Sequence, residues 1–321
     1  MMGKFDVVTF GSGVVDVFAS TGVAEKNGRL DLEIGSKYLI EGLEMDVGGG
    51  GTNVGVAFSR FGLKSGCVCG IGEDSNGREV LGCLKRERVK FLGRVGEGMT
   101  GYSMIVDSKK NNRTILTYKG ESNEISIDDV KKFKSKWIYF SSLLGKSFEA
   151  QKVLAREMVG SGARLAFNPS SYSIRSQDIR GILKLCYVLV LNREEAAMLC
   201  KRYVTRNSVP SKKGSKDPAS SGKKGDVMKG LRNLGPRIVV VTDKDKEVRC
   251  YDGRREYNVV PNAKVKVVER TGAVDAFAAG FVGGLIAGYH LDRCLRLGVE
   301  EGEAVLGHFG AKNNLLRRKL K

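Results

Sequence analysis

Two rhythms of apolar and polar positions alternate along this chain. From Trp137 onward, short and nearly continuous apolar runs stand at WIYFSS (137–142), RLAFNPS (164–170), YVLVLN (187–192) and RIVVVT (237–242). Stretches with helical spacing separate them. Runs of that length predict strands buried on both faces, and the βαβα order predicts a parallel sheet covered on both sides. The amino-terminal part is less regular. FDVVTFGSGVVDVFAS (5–20) reads as one buried first strand, interrupted by Gly11 and Gly13, with Asp16 where the strand should end. Residues 17–46 alternate weakly and predict short exposed strands. Four glycines at 48–51 precede a helical run with Val54, Ala57, Phe58 and Phe61 on one face, closed by Gly62. SGCVCGIG (65–72) predicts a strand, and DSNGREVLGCLKRERV (74–89) a loop and a helix. Residues 99–118 predict a hairpin that turns at 109–112.

Length and composition narrow the class. A chain of 321 residues with 41% apolar content is long enough for one large α/β domain. No apolar run approaches the roughly 20 residues that span a bilayer. The start has no signal-peptide pattern, so a cytoplasmic location is expected. The seven cysteines are odd in number and form no CxxC pair, which argues for buried thiols rather than disulfides or zinc ligands. His290 and His308 stand apart from any cluster of metal-ligating residues.

The net charge of +18 suggests nucleic acid, but its distribution weakens that reading. Residues 201–224 carry a net +7 and residues 312–321 a net +5, so twelve of the eighteen charges lie in two short segments. Aromatic residues do not interleave a basic stripe, as base stacking would require. No dedicated nucleic-acid binding is expected. The segment 205–225, rich in Lys, Ser and Gly, reads as a flexible basic insertion at the surface.

The segment that carries chemistry is ERTGAVDAFAAGFVGGL (269–285). A turn of small residues leads into a helix, whose first N–H groups are left unpaired and aimed at one spot. With the helix dipole they form an anion site suited to phosphate. An Asp at that spot repels phosphate, yet it suits a base that deprotonates an attacking hydroxyl. From this segment alone, Asp275 reads equally well as a helix cap.

TGAVDAFAAGF resembles the carboxy-terminal signature of the ribokinase/PfkB carbohydrate kinase family, usually DTTGAGDxFxxGF. Further segments match in order: GGGGTNVGVAFSRFG (48–62), GIGEDSNGREVLGCLKRERV (70–89), the NxxE-like Asn192-Arg193-Glu194-Glu195, and GHFGAKNNLL (307–316). The resemblance covers nearly the whole chain apart from 205–225. It implies a single domain over 1–321 with a ribokinase-like three-layer αβα fold. A mostly parallel central sheet would carry a small β-sheet lid from about 17–46 and 92–118. It implies transfer of the γ-phosphoryl group of ATP to a sugar hydroxyl, with a nucleoside acceptor or a catalytically weak binding protein as alternatives.

The roles follow by resemblance. Asp275 would be the general base, and the backbone of Gly272, Ala273, Val274 and Asp275 the anion hole. Asp16, Gly49, Gly50 and Asn53 would hold the acceptor. Asn192, Thr242, Lys244, Gly272 and Asn313 would bind the nucleotide. Asn192 and Glu195 would hold Mg²⁺, largely through water. A homodimer through the lid is a further implication.

Several positions depart from the family pattern. Val274 replaces a glycine, which would strain the backbone if that position needs positive φ. Glu269 and Arg270 replace the Asp-Thr of a monovalent-cation site, which counts against K⁺ activation. The TxGxxG nucleotide loop reads Thr242-Asp243-Lys244-Asp245-Lys246-Glu247, with both glycines gone. Near Ser141–Leu144, where ribose-specific members tend to carry a carboxylate, the chain has Ser-Ser-Leu-Leu, which disfavours ribose. Arg113 and Lys119 offer cations for an acidic sugar. Other nucleotide motifs fail: GSGVVD (11–16) is not GxGxxG, and Phe140 stands where a P-loop ending in Gly145-Lys146-Ser147 needs glycine.

Overall fold

The computed structural model describes residues 3–109, 112–204, 224–244 and 246–320. The first apolar run folds as two strands, not one. Gly11 makes the corner, because a Cβ there would overlap Ser141 Oγ and lie 2.7 Å from the Gly51 nitrogen. Along the chain the strands are β1 (Gly3–Phe10), β2 (Val14–Thr21), β3 (Glu25–Lys26), β4 (Arg29–Leu30), β5 (Ile40–Gly48), β6 (Ser65–Val68), β7 (Gly70–Gly72), β8 (Lys90–Phe91) and β9 (Arg94–Gly96). They continue as β10 (Gly101–Asp107), β11 (Arg113–Tyr118), β12 (Phe133–Ser141), β13 (Arg164–Asn168), β14 (Cys186–Asn192), β15 (Ile238–Asp243), β16 (Glu247–Tyr251) and β17 (Glu256–Val259). The helices are α1 (Gly50–Arg60), α2 (Ser75–Arg86), α3 (Gly145–Gly160), α4 (Ser171–Ser176), α5 (Arg180–Leu185), α6 (Arg193–Leu199), α7 (Lys224–Arg232), α8 (Ala273–Ile286) and α9 (Leu291–Leu306).

Among the described residues the large sheet has nine strands in the order β17-β16-β15-β14-β13-β12-β1-β6-β8. It is parallel from β8 to β15, and β16 and β17 extend it antiparallel. Both faces are dry, which is why these strands read as continuous apolar runs. Val7, Tyr139, Ala166 and Val190 pack with Phe58, Phe277 and Phe281 of α1 and α8 on one side. Val8, Phe140, Leu165 and Leu189 pack with Phe148, Ile182, Leu199 and Leu231 on the other. The period of two along each strand thus feeds two cores, giving the three-layer αβα arrangement.

A second sheet has the order β11-β10-β2-β5 and forms the lid. It takes up 14–21, 40–48, 101–107 and 113–118, while β8 joins the large sheet and β9 pairs with β7. Asp16 is therefore in the middle of a lid strand rather than at the end of a core strand. The strand β2 resembles a core strand in sequence because all its residues but Ser20 are buried. The basic segment 205–225 lies outside the described residues up to position 223.

The carboxy-terminal segment ties the layers together. Arg60 of α1 donates to Lys312 O at 2.8 Å, and Glu301 of α9, fully buried, accepts from Leu316 N at 3.2 Å. Phe309 packs its ring on Phe18 of the lid, with centroids 4.4 Å apart. No helix among the described residues is long and apolar enough to cross a membrane.

Candidate active site

The turn before α8 is built by a carboxylate. Glu269 Oε1 accepts from Arg270 N (2.7 Å), Thr271 N (2.7 Å) and Thr271 Oγ1 (2.8 Å). Gly272 then takes φ 82° as the N-cap residue, and a Cβ there would lie 2.5 Å from Ala311 O. The left-handed position falls on Gly272, not on the next-but-one residue. Val274 is an ordinary helical residue without positive φ, so the strain that positive φ would have brought does not arise. In the first turn, Val274 N and Asp275 N have no carbonyl one turn back to donate to. Ala273 N reaches Arg270 O only at 3.4 Å.

Asp275 is half-buried at the start of this helix, and its Oδ2 accepts from Asn53 Nδ2 at 2.9 Å. Gly49 caps α1 and Gly50 opens it. A Cβ at Gly50 would lie 3.4 Å from Asp275 Oδ1, so bare backbone faces the carboxylate. Across the gap, Asp16 is buried on β2. It pairs in register with Asp46 of β5 and Ser103 of β10, and the Ser103 hydroxyl donates to it. Burial raises the pKa of Asp275 above its ordinary value, opposed by the Asn53 amide and the Lys312 ammonium. Asp16 is raised too, by burial and by the charges of Asp46 and Asp275, against Ser103 and Lys312.

Lys312 is a member of this group that the sequence reading did not single out. It is only 4% exposed, with Nζ 3.4 Å from Asn53 Oδ1 and 3.9 Å from Asp46 Oδ1. In sequence it stands at the start of a basic tail and looks solvated. Only its place directly after the Gly-Ala pair marks it.

On the far side of the α8 turn lies a cavity of about 580 Å³. Asn192, Thr242, Lys244, Ala273 and Val274 line it, as do Val248, Phe277 and Val299. Two expected nucleotide residues are not among the lining. Gly272 faces Ala311, and Asn313 is exposed with its amide donating to Phe309 O at 2.5 Å. Lys244 takes φ 47°, so the residue that replaces the first loop glycine keeps a glycine-like backbone, at a cost of about 1–2 kcal/mol.

Asn192 and Glu195 cap α6 reciprocally: Glu195 N donates to Asn192 Oδ1 at 2.8 Å, and Asn192 N to Glu195 Oε2 at 2.9 Å. Burial pushes the Glu195 carboxyl up to about 7. The single carboxamide oxygen of Asn192 and one of the two Glu195 oxygens are used in the cap, so the pair fits a hydrated Mg²⁺ held through water rather than a fully ligated ion. Among the described residues no group of three or more His, Cys, Asp or Glu could hold a metal.

Arg113 lines the cavity, but it and Lys119 both already hold protein partners, so neither stands as a free cation for an acidic-sugar acceptor. Arg113 pairs with Glu269 and donates to Thr271 Oγ1 at 2.9 Å, so a lid strand is pinned to the turn before α8. Lys119 donates to Tyr172 OH at 2.7 Å. Arg113→Ala therefore leaves Glu269, which is buried, without its cation. The variant should lose about 1–3 kcal/mol of stability in denaturant unfolding, with acceptor KM unchanged. A raised acceptor KM at unchanged stability would contradict this.

A helix start with unpaired first-turn N–H groups and a half-buried Asp, a reciprocal Asn-Glu cap at the far end of β14, and a β-lid beside a parallel sheet occur together here. Residues 21–318 match the pfkB family carbohydrate kinases. The chain belongs to that family. This pfkB kinase is a phosphotransferase with an alcohol group as acceptor. It is 30% identical over 275 residues to an uncharacterized sugar kinase of Archaeoglobus fulgidus, covering 82% of this chain and 99% of that protein. A cytidine kinase of Thermococcus kodakarensis is 31% identical over 166 residues, 50% of this chain and 53% of that one. Ribokinase from Thermotoga maritima superposes with a TM-score of 0.77 at 17% identity, covering 99% and 97% of the two chains. The fold of the pfkB kinase is ribokinase-like.

Proposed function

We propose that this pfkB kinase moves the γ-phosphoryl group of ATP to a hydroxyl of a sugar, with Asp275 as the general base. The observation that carries the reading is the position of Asp275. Its carboxylate is held by Asn53, between the buried acceptor-side Asp16 and the nucleotide-side cavity. The raised pKa of Asp275 makes it a better proton acceptor than an exposed carboxylate. Asp16 reads neighbouring hydroxyls, and Gly49 and Gly50 let the acceptor approach the backbone.

The N–H groups of the N-cap Gly272 and of the first turn of α8 (Ala273 to Asp275) stabilise the charge on the transferring group, and their aim is fixed before the substrate arrives. Thr242, Lys244 and Asn192 line the phosphate side. Mg²⁺, held through water by Asn192 and Glu195, would neutralise charge between the phosphates. The lid strands β2 and β5 cover the acceptor and exclude water, which limits ATP hydrolysis. The odd number of cysteines and their lack of CxxC spacing favour a reducing, cytoplasmic setting.

A nucleoside acceptor is the second reading, favoured by the identity to the cytidine kinase over half of the chain. ADP release on a panel of sugars and nucleosides separates the two. The best sugar should exceed the best nucleoside in kcat/KM by at least about tenfold, the discrimination that a few pocket contacts supply. A nucleoside that wins overturns the sugar reading. Acceptor binding without turnover would leave only a kinase-fold binding protein.

The lid also supports a homodimer. Leu43, Met45 and Leu116 lie on the face opposite Asp16, in register with Ala19, Val17 and Met104, and are 59–60% exposed. An apolar face on a sheet with free edges needs a cover. Light scattering should give a dimer that Leu43→Asp converts to monomer. A monomeric wild type at micromolar concentration would contradict it.

A further inference from the structure

A lysine buried to this extent is rare unless it is paired. Lys312 is held between a lid carboxylate, Asp46 of β5, and the amide of Asn53 on α1. Asn53 has one acceptor end and one donor end. Its Oδ1 faces the Lys312 ammonium, and its Nδ2 faces Asp275 Oδ2. Turning the amide over would set N–H groups against the ammonium and an oxygen against the carboxylate, so both contacts would repel. Cation and anion on opposite sides therefore select one orientation of Asn53.

We propose that Lys312 is a positioning residue of the phosphoryl-transfer site. Its ammonium locks the Asn53 amide so that Asn53 holds the Asp275 carboxylate in place for the acceptor hydroxyl. The inference rests on the reading of Asp275 as the base.

The same ammonium links the base to the lid. Asp16 and Asp46 lie directly opposite each other on adjacent lid strands, an arrangement that like charges destabilise. Asp46 Oδ2 is buried without a hydrogen-bond partner among the described residues, although its Oδ1 accepts from Val47 N at 2.8 Å. Lys312, carried by the body of the protein, supplies the nearby cation. Seating the lid over the acceptor thus brings Asp46 to the lysine that orients Asn53, and the base is best aligned when the lid is closed.

The charged and titratable groups around this relay come from several elements. Asn53 of α1, Lys312, Asp16 of β2, Glu195 of α6 and Tyr139 of β12 act on or feel Asp275. Lys312 also faces Asp46 of β5 and Cys83 of α2. Among the described groups that act on Asp275, Lys312 is the one cation, so its loss has a definite sign. Without it Asp275 keeps its proton to higher pH, and the acidic limb of the rate profile moves up.

The test compares full-length wild type, Lys312→Met, Lys312→Arg and Asp275→Asn in steady state, with ATP and the best acceptor of the panel. Lys312→Met should lower kcat by about 10- to 100-fold, the scale of a small misplacement at the reacting centre. It should leave KM for ATP within about twofold, since the nucleotide-side lining is untouched. Its acidic limb in kcat/KM should shift to higher pH, and Lys312→Arg should restore most of the rate and the limb. Lys312→Met with the wild-type kcat and limb overturns the proposal, as does Lys312→Arg as impaired as Lys312→Met. If circular dichroism shows Lys312→Met unfolded, Lys312→Gln carries the same expectations and the same refutation. An Asp275→Asn variant at full rate would instead refute the base reading, a result distinct from any seen at Lys312.

Discussion

Asp275→Asn should lower kcat by about 10²–10⁴-fold, the contribution of a well-placed general base, with ATP still bound. The substitution keeps the size of the side chain and the start of α8, so the anion site survives. What is lost is the lone pair that takes the acceptor proton. The amide that Asn53 offers at 2.9 Å would then meet either an oxygen or another N–H group, so part of the loss is positional. A structural helix cap would behave differently. Asp275 is a first-turn residue of α8, while Gly272 is its N-cap, with no side-chain cap bond. A pure cap role therefore has no hydrogen bond to act through, and the variant should unfold close to the wild-type temperature. Equal kcat for the two proteins would remove Asp275 from the chemistry.

Gly272→Val should damage both stability and rate. The residue holds φ 82°, where a β-branched side chain costs about 1–3 kcal/mol of backbone strain. A Cβ would also lie 2.5 Å from Ala311 O and 2.6 Å from Ala311 Cβ, so the carboxy-terminal segment must move. That segment carries Lys312, and the turn aims the first N–H groups of α8. Mis-aimed anion-hole donors cost about 10²–10³ in kcat. Thermal unfolding and kcat measured together check this. A Gly272→Val protein with wild-type melting temperature and rate would contradict the geometry of the turn. Val274 gives the useful contrast: returning it to Gly should change the rate little, because its backbone is already helical.

Much of this architecture can be read from pattern. The runs after Trp137 become β12 to β15 because strands buried on both faces have to be apolar throughout. The hairpin near 99–118 and the Gly62 stop of α1 follow from local rules that tertiary packing does not override. The break between β1 and β2 was not legible. Both strands are buried almost throughout, one in the large sheet and one in the lid sheet itself, so the apolar signal runs on across the sheet boundary. Only the close approach of Gly11 to Ser141 and Gly51 marks the corner, and that contact is set by residues far away in sequence.

The candidate site divides in the same way. Asp275, Asn53, Asp16, Asn192 and Glu195 stand in local motifs, and the structure brings the first three close together. Asn313, chosen by neighbourhood to the Gly-Ala pair, turns to solvent, while Lys312 beside it turns inward. A one-residue difference in direction within an irregular segment leaves no periodic trace. The fate of Arg113 was equally hidden, since its partner Glu269 lies 156 positions away in sequence.

The most direct test of the account follows the phosphoryl group itself. Purified wild type and Asp275→Asn are given ATP radiolabelled at the γ-phosphoryl group, Mg²⁺ and the preferred sugar, and the label is traced by chromatography. The account predicts label on a sugar hydroxyl with wild type and little or none with Asp275→Asn, although both bind ATP. Label that appears only as inorganic phosphate, or equal transfer by the two proteins, would contradict it.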